Sequence, residues 1–128
     1  MPTNYKPEGH SSVSPYLMVN GADATIAFLV QAFNAVPGFR MADATGRVHH
    51  AEVKIDDSVV MLSDGMAGYP ALASHVHVYV PDVDAAYERA LAAGATSVQK
   101  PVKKDDPDKR GGVKDAGGTT WWISTHMP

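Results

Sequence analysis

The chain has 128 residues, a formal net charge of −3, 45% hydrophobic residues and no cysteine. That length suits one domain with a core of its own, and the lack of cysteine excludes a disulfide scaffold, a thiolate metal site and a cysteine nucleophile. A mildly acidic chain without a basic block argues against nucleic acid as a partner, and no apolar run approaches the ~20 residues of a membrane helix. The polar opening Met1 to Ser12, with two prolines, does not read as a signal peptide. The expected address is the cytoplasm, and residues 1–12 are expected to form a flexible or loosely docked arm.

Patterning begins near Val13. A strand over Ser14 to Val19 leads to a helix whose apolar residues Ile26, Leu29, Val30 and Phe33 fall at i, i+3, i+4 and i+7. Asn20 or Gly21 is expected to cap its start, and Asn34 to end it in a left-handed turn. Strands follow around Phe39 to Ala42, Val48 to Ile55 and Ser58 to Leu62, the last two joined by a two-residue hairpin, Asp56-Asp57. A Gly- and Pro-containing linker, 65–74, leads into a second round. It comprises a strand over His75 to Val80, a helix capped by Asp82 and ended at Gly94, and strands over Ser97 to Val102, Gly112 to Lys114 and Thr119 to Ser124. The mixed-charge stretch Lys103 to Arg110, around Pro107, reads as a solvated loop. A shift of 61 residues lays Val19 to Ala24 over Val80 to Ala85, and Ser58 to Leu62 over Thr119 to Ile123. The chain therefore reads as a duplication: module 1 spans 13–64 and module 2 spans 75–126.

Strand parity separates a helix-facing set from an opposite set. The opposite set holds Tyr16, Met18, His50, Glu52, Val59, Met61, His75, His77, Tyr79 and Trp122, too rich in aromatic and thioether groups for a face open to bulk water. It suits the wall of a ligand pocket. His50 and Glu52, one step apart on a strand face, read as a general base with an orienting carboxylate or as a plain cross-strand pair. Tyr16, Met18, Met61, His75, His77, Tyr79 and Trp122 read as ligand-binding wall, with Trp122 available to stack on a planar molecule. His10 and His126 fall outside the expected strands and receive no role.

Several segments resemble the vicinal oxygen chelate superfamily, which includes glyoxalase I, extradiol dioxygenases and bleomycin-binding proteins. They are Ser14-Pro15-Tyr16-Leu17-Met18-Val19, Gly46 to Glu52, His77 to Ala86, Ala92-Ala93-Gly94-Ala95 and Asp115 to His126, the last looking most like its glyoxalase-like, phosphonate-operon-type branch. The resemblance implies an α+β fold of two tandem βαβββ modules forming one curled, mixed sheet with helices on the convex side. It also implies a homodimer and a ligand on the concave side. It carries the family's four metal-ligand places onto Ser14, Met61, His75 and Trp122, of which only His75 is an ordinary ligand. The expectation is a protein that binds a small organic molecule without the standard divalent metal and with no cofactor. The alternatives are an enzyme using His50 and Glu52, or an ion among His50, Glu52, His75 and His77, and a non-catalytic protein whose bowl is filled by its own side chains. No membrane or nucleic-acid partner is expected.

Overall fold

A computed structural model describes residues 4–128; residues 1–3 of the expected arm lie outside the described residues. In chain order the elements are β1 (Tyr16–Val19), α1 (Ala22–Phe33), β2 (Val36–Ala42), β3 (Val48–Ile55), β4 (Ser58–Asp64), β5 (Ser74–Tyr79), α2 (Val83–Ala92), β6 (Thr96–Lys103), β7 (Asp108–Lys114) and β8 (Thr119–His126). This is the βαβββ pattern twice. Each module builds a four-stranded mixed sheet, in the orders β1-β4-β3-β2 and β5-β8-β7-β6. The first strand of each pairs parallel with the last, and the other pairings are antiparallel.

Local sequence explains the element ends. Asn34 adopts φ 56° after α1, and its N–H donates to Val30 O and Leu29 O; asparagine is among the few residues that tolerate this region. The Asp82 carboxylate caps α2 by accepting from Ala85 N. The start of α1 departs from expectation, because Gly21 supplies no side-chain cap. The Asp64 carboxylate at the end of β4 serves instead, accepting from Ala22 N at 2.7 Å and Val48 N at 2.8 Å. It thereby joins α1, β3 and β4. The two-residue hairpin holds, with Ile55 opposite Ser58 and Asp56 at φ 54°.

The sheets differ from the single curled sheet expected: the strands form two separate sheets. The free edge of β1 is taken by the linker, whose Leu72 N–H donates to Met18 O at 3.0 Å, and not by β5. The modules meet through their helices and one shared core. That core holds Leu29 and Phe33 of α1, Tyr87 and Ala90 of α2, Val53 and Leu62 of sheet 1, and Val113, Trp121 and Ile123 of sheet 2. Phe33 lies 5.6 Å from the Trp121 ring, and Arg89 Nε on α2 donates to Ala32 O on α1. The fully buried Trp121 indole N–H is satisfied by Asp115 at 2.8 Å. Each sheet thus turns one face to the common core and the other away from it. No helix among the described residues is long and apolar enough to cross a membrane.

The stretch Lys103 to Arg110 is also corrected. β7 begins at Asp108, with Asp108 opposite His126, and the Asp108 side chain is buried. Arg110 pairs with Asp106 and Asp108, Asp108 with His126 on β8, and Lys109 with Asp84 on α2, while Lys103 to Pro107 stay exposed, so the solvated reading holds for the first part of the run and fails from Asp108 onward.

Candidate functional site

The outer face of sheet 1 carries Tyr16 on β1, His50 and Glu52 on β3 and Met61 on β4, with Glu52 directly opposite Met61. Glu52 is the centre of a hydrogen-bonded chain. His50 Nε2 lies 2.8 Å from Glu52 Oε2, and His50 Nδ1 lies 3.0 Å from the Tyr16 hydroxyl. His10 Nε2 lies 2.7 Å from the second carboxylate oxygen, Glu52 Oε1. An ionised carboxylate only accepts, so both imidazoles donate to it, and a neutral His50 accepts the Tyr16 proton at Nδ1. The His50 contact first, then His10, holds the Glu52 carboxyl below its ordinary value.

His10 therefore has a partner that sequence reading missed. It is brought there by the arm, which lies across this face. Gly9 lies beside Lys54 Nζ, and Lys6 Nζ donates to the Ser12 hydroxyl within the arm. Val59, an outward residue by parity, is buried beneath. A cavity of about 250 Å³ remains between arm and sheet, bordered by His10, Pro37, Glu52 and Val59. Met18 is half-covered, its sulfur accepting from the Ser63 hydroxyl at 3.3 Å.

The outer face of sheet 2 is different in kind. Trp122 Nε1 donates to His75 Nδ1 at 3.0 Å, and the two rings are within 8° of parallel with centroids 6.2 Å apart. An indole N–H lies in the ring plane, so this bond with parallel rings sets them edge to edge as one flat surface; face-to-face stacking would bring the centroids closer. Because His75 Nδ1 accepts, its neutral ring carries the proton on Nε2. Trp122 lies over Gly112, its cross-strand partner on β7: a Cβ at Gly112 would sit 2.7 Å from the indole.

Beside this platform, the Ser124 hydroxyl accepts from Arg110 Nε at 2.9 Å and so donates to His77 Nε2 at 2.9 Å. Desolvation first, then the positive Arg110, holds His77 below the ordinary histidine value. His77 packs edge-on to Tyr79, 4.6 Å between centroids. The Tyr79 hydroxyl donates to Asp108 at 2.7 Å, which raises its own pKa, and Asp108 also bonds His126 Nδ1 at 2.8 Å. Asp108 is held low, by Tyr79 first and then His126. The predicted residues thus fall into two groups within one chain: Tyr16, Met18, His50, Glu52 and Met61 on sheet 1, and His75, His77, Tyr79 and Trp122 on sheet 2. Among the described residues no group of three or more His, Asp or Glu side chains is placed to hold a metal ion, and the four residues of the alternative ion site divide into His50 and Glu52 on sheet 1 and His75 and His77 on sheet 2.

A sequence model of the "Glyoxalase/Bleomycin resistance protein/Dioxygenase superfamily" matches residues 10–123. The chain belongs to this superfamily. An uncharacterized protein of Mycobacterium bovis is 35% identical over 124 residues, which cover 86% of this chain and 80% of that protein. The crystal structure of TioX from Micromonospora sp. ML1 superposes with a TM-score of 0.76 at 27% identity, covering 91% of this chain and 99% of TioX. TnmS3, an antibiotic binding protein from Streptomyces sp. CB03234, superposes with a TM-score of 0.68 at 18% identity, covering 91% and 99%. That likeness is one of fold.

The superfamily implies a divalent ion at Ser14, Met61, His75 and Trp122, and this donor set does not fit one. Indole is not a ligand, and a thioether is a poor one for hard or borderline ions. His75 spends its Nδ1 lone pair on Trp122. Ser14 Oγ is buried without a hydrogen-bond partner among the described residues, but a single hydroxyl beside these three does not make a metal site.

Proposed function

We propose that this superfamily member binds a small organic molecule with a flat apolar part, held on the Trp122–His75 platform, and that a second copy of the chain closes the bowl. The observation that carries the reading is the coplanar pair of rings over a glycine, with His75 Nε2–H available at its edge. A flat ligand gains dispersion and quadrupole contacts there, about 0.5–1.5 kcal/mol per aromatic pair beyond simple burial. The antibiotic-binding neighbour TnmS3 supports the ligand class. The homodimer is supported by the outer faces themselves. In one chain they turn away from a common core, so a bowl walled on two sides needs two chains, and Phe39 and Met41 on β2 leave exposed apolar surface for that contact.

The test is thermal unfolding against a panel of aromatic antibiotics and 2-oxoaldehydes. A true ligand at 100 times its Kd adds about 2.7 kcal/mol of stability. The shift is expected to vanish in Trp122→Ala and to survive in His50→Ala. A shift that survives in Trp122→Ala sinks the platform as the site.

The chain Glu52–His50–Tyr16 favours a second reading, acid–base chemistry on sheet 1, in which Tyr16 is the exposed end of a proton relay. Turnover of any panel compound that His50→Ala abolishes while affinity is retained would establish it over the binding reading.

A further inference from the structure

We infer that the ligand of the Trp122–His75 platform is a flat aromatic molecule with two hydrogen-bond acceptors spaced along one edge, one for His75 and one for His77. The inference rests on the platform reading and names the chemistry of its ligand. His75 and His77 are both exposed on the outer face of β5, and a strand sets such neighbours about 7 Å apart.

The proton of each ring is fixed from behind. The Trp122 indole N–H only donates, so neutral His75 accepts at Nδ1 and carries its proton on Nε2. Arg110 Nε donates to the Ser124 hydroxyl, and among the described residues the acceptor for that hydroxyl's own proton is His77 Nε2. Neutral His77 therefore carries its proton on Nδ1. Neither His75 Nε2–H nor His77 Nδ1–H has a partner among the described residues. Turning either ring over would forfeit the bond behind it, so the edge along β5 offers two donors and no acceptor.

The other polar groups of this face fit the same polarity. Tyr79 donates to Asp108, and Arg110 is held by Asp106, Asp108 and Ser124. Lys114, opposite Thr120, is an exposed cation at the rim and also only donates. The buried Thr120 hydroxyl can serve either way. Gln99, opposite Gly112, gives its amide N–H to Arg110 O, which leaves its carbonyl oxygen as an acceptor beyond the indole, on the side away from β5. A ligand's acceptors therefore belong at β5. A molecule edged there with hydroxyl or amine donors would set N–H against its own hydrogens, so the face discriminates by polarity as well as by flatness.

The probe is 4,7-phenanthroline, a flat three-ring molecule whose two acceptor nitrogens lie along one edge at about the β5 spacing. It is titrated into the full chain and followed by calorimetry and by the ring-nitrogen shifts of His75 and His77. Saturable binding that moves His75 Nε2 and His77 Nδ1 together is expected. 5,6-Benzoquinoline, which lacks one nitrogen, and 1,7-phenanthroline, whose nitrogens lie on different edges, should each bind about fivefold more weakly, the scale of one neutral hydrogen bond. His77→Phe should bring 4,7-phenanthroline down to the affinity of 5,6-benzoquinoline, and Trp122→Ala should abolish binding of all three. Equal affinity for the three compounds, still lost in Trp122→Ala, overturns this inference and leaves the platform standing. Binding that survives in Trp122→Ala removes the platform and this inference with it, and absence of saturable binding in wild type overturns the inference. If His77→Phe fails to fold, the wild-type shifts decide: movement of both nitrogens with 4,7-phenanthroline supports the pair of donors, and movement of one or neither refutes it.

Discussion

At matching places in the two modules, Met61 on β4 stands opposite Glu52 on β3, and Trp122 on β8 stands opposite Gly112 on β7. Glycine leaves room for an indole to lie down across the neighbouring strand and meet His75 edge to edge. Glutamate fills the same room with charge and draws two imidazoles and a phenol around it. One topology therefore presents a flat neutral surface on one sheet and a protonatable chain on the other, and the residue on the middle strand decides which. The two faces also differ in cover, since the arm lies across sheet 1.

The contrast can be attacked at four points. Gly112→Val should do most damage, because its side chain starts 2.7 Å from the indole and against the stiff ring, not a flexible tip. Overpacking of this kind costs about 1–3 kcal/mol, read as a lower denaturation midpoint with an unchanged slope, and the platform should be lost with it. Glu52→Gln should cost about 2 kcal/mol, since an amide offers its N–H to one of two imidazole donors that both need an acceptor.

The same variant tests pH dependence. Glu52 has a folded pKa below its ordinary 4.5, so its contribution is complete above that value and fades as pH falls through the lowered one. Acid unfolding should accordingly be shallower in Glu52→Gln than in wild type. Trp122→Phe keeps the ring but loses the N–H to His75, and should cost about 1 kcal/mol. The smallest stability effect is expected for His10→Ala, a few tenths of a kcal/mol for a partly exposed pair. Its readout is access: a protease specific for glutamate should cut after Glu8 faster once the arm loses its hold on Glu52. Unchanged cutting would mean that other contacts fasten the arm.

Much of the fold was legible because it is written in local periods. The spacing of Leu29 and Phe33, the αL position at Asn34, the Asp82 cap and the Asp56-Asp57 hairpin are each decided within a few residues. Parity likewise put Tyr16, His50, Glu52, His75 and Trp122 on outward faces. The missed features join residues far apart in the chain. His10 meets Glu52 across 42 positions and His126 meets Asp108 across 18, and no period links such pairs. Asp108 itself was hidden in a charged run, and its bonds to Tyr79 and His126 exist only after β5, β7 and β8 assemble. The division into two sheets was equally silent, because parity tells which face a residue takes and not which edge its strand will join.

The parallel pairing that closes each module also shapes how the chain can fold. Tyr16 must find Met61, and Ser74 must find Thr119, each partner 45 positions along the chain (61 − 16 and 119 − 74). In both modules the β-meander can form from neighbours, while the first strand must wait for a long loop to close. With two like modules in one chain, β1 has a rival partner in β8. Thr119 lies 103 positions beyond Tyr16 (119 − 16), and chain entropy disfavours that pairing by only about 0.7 kcal/mol, since each doubling of a loop costs about 0.6. Proximity therefore barely distinguishes the right seam from the wrong one. The discrimination falls to side chains at the seam, which makes crossed pairing of modules the misfolding route to look for in refolding kinetics.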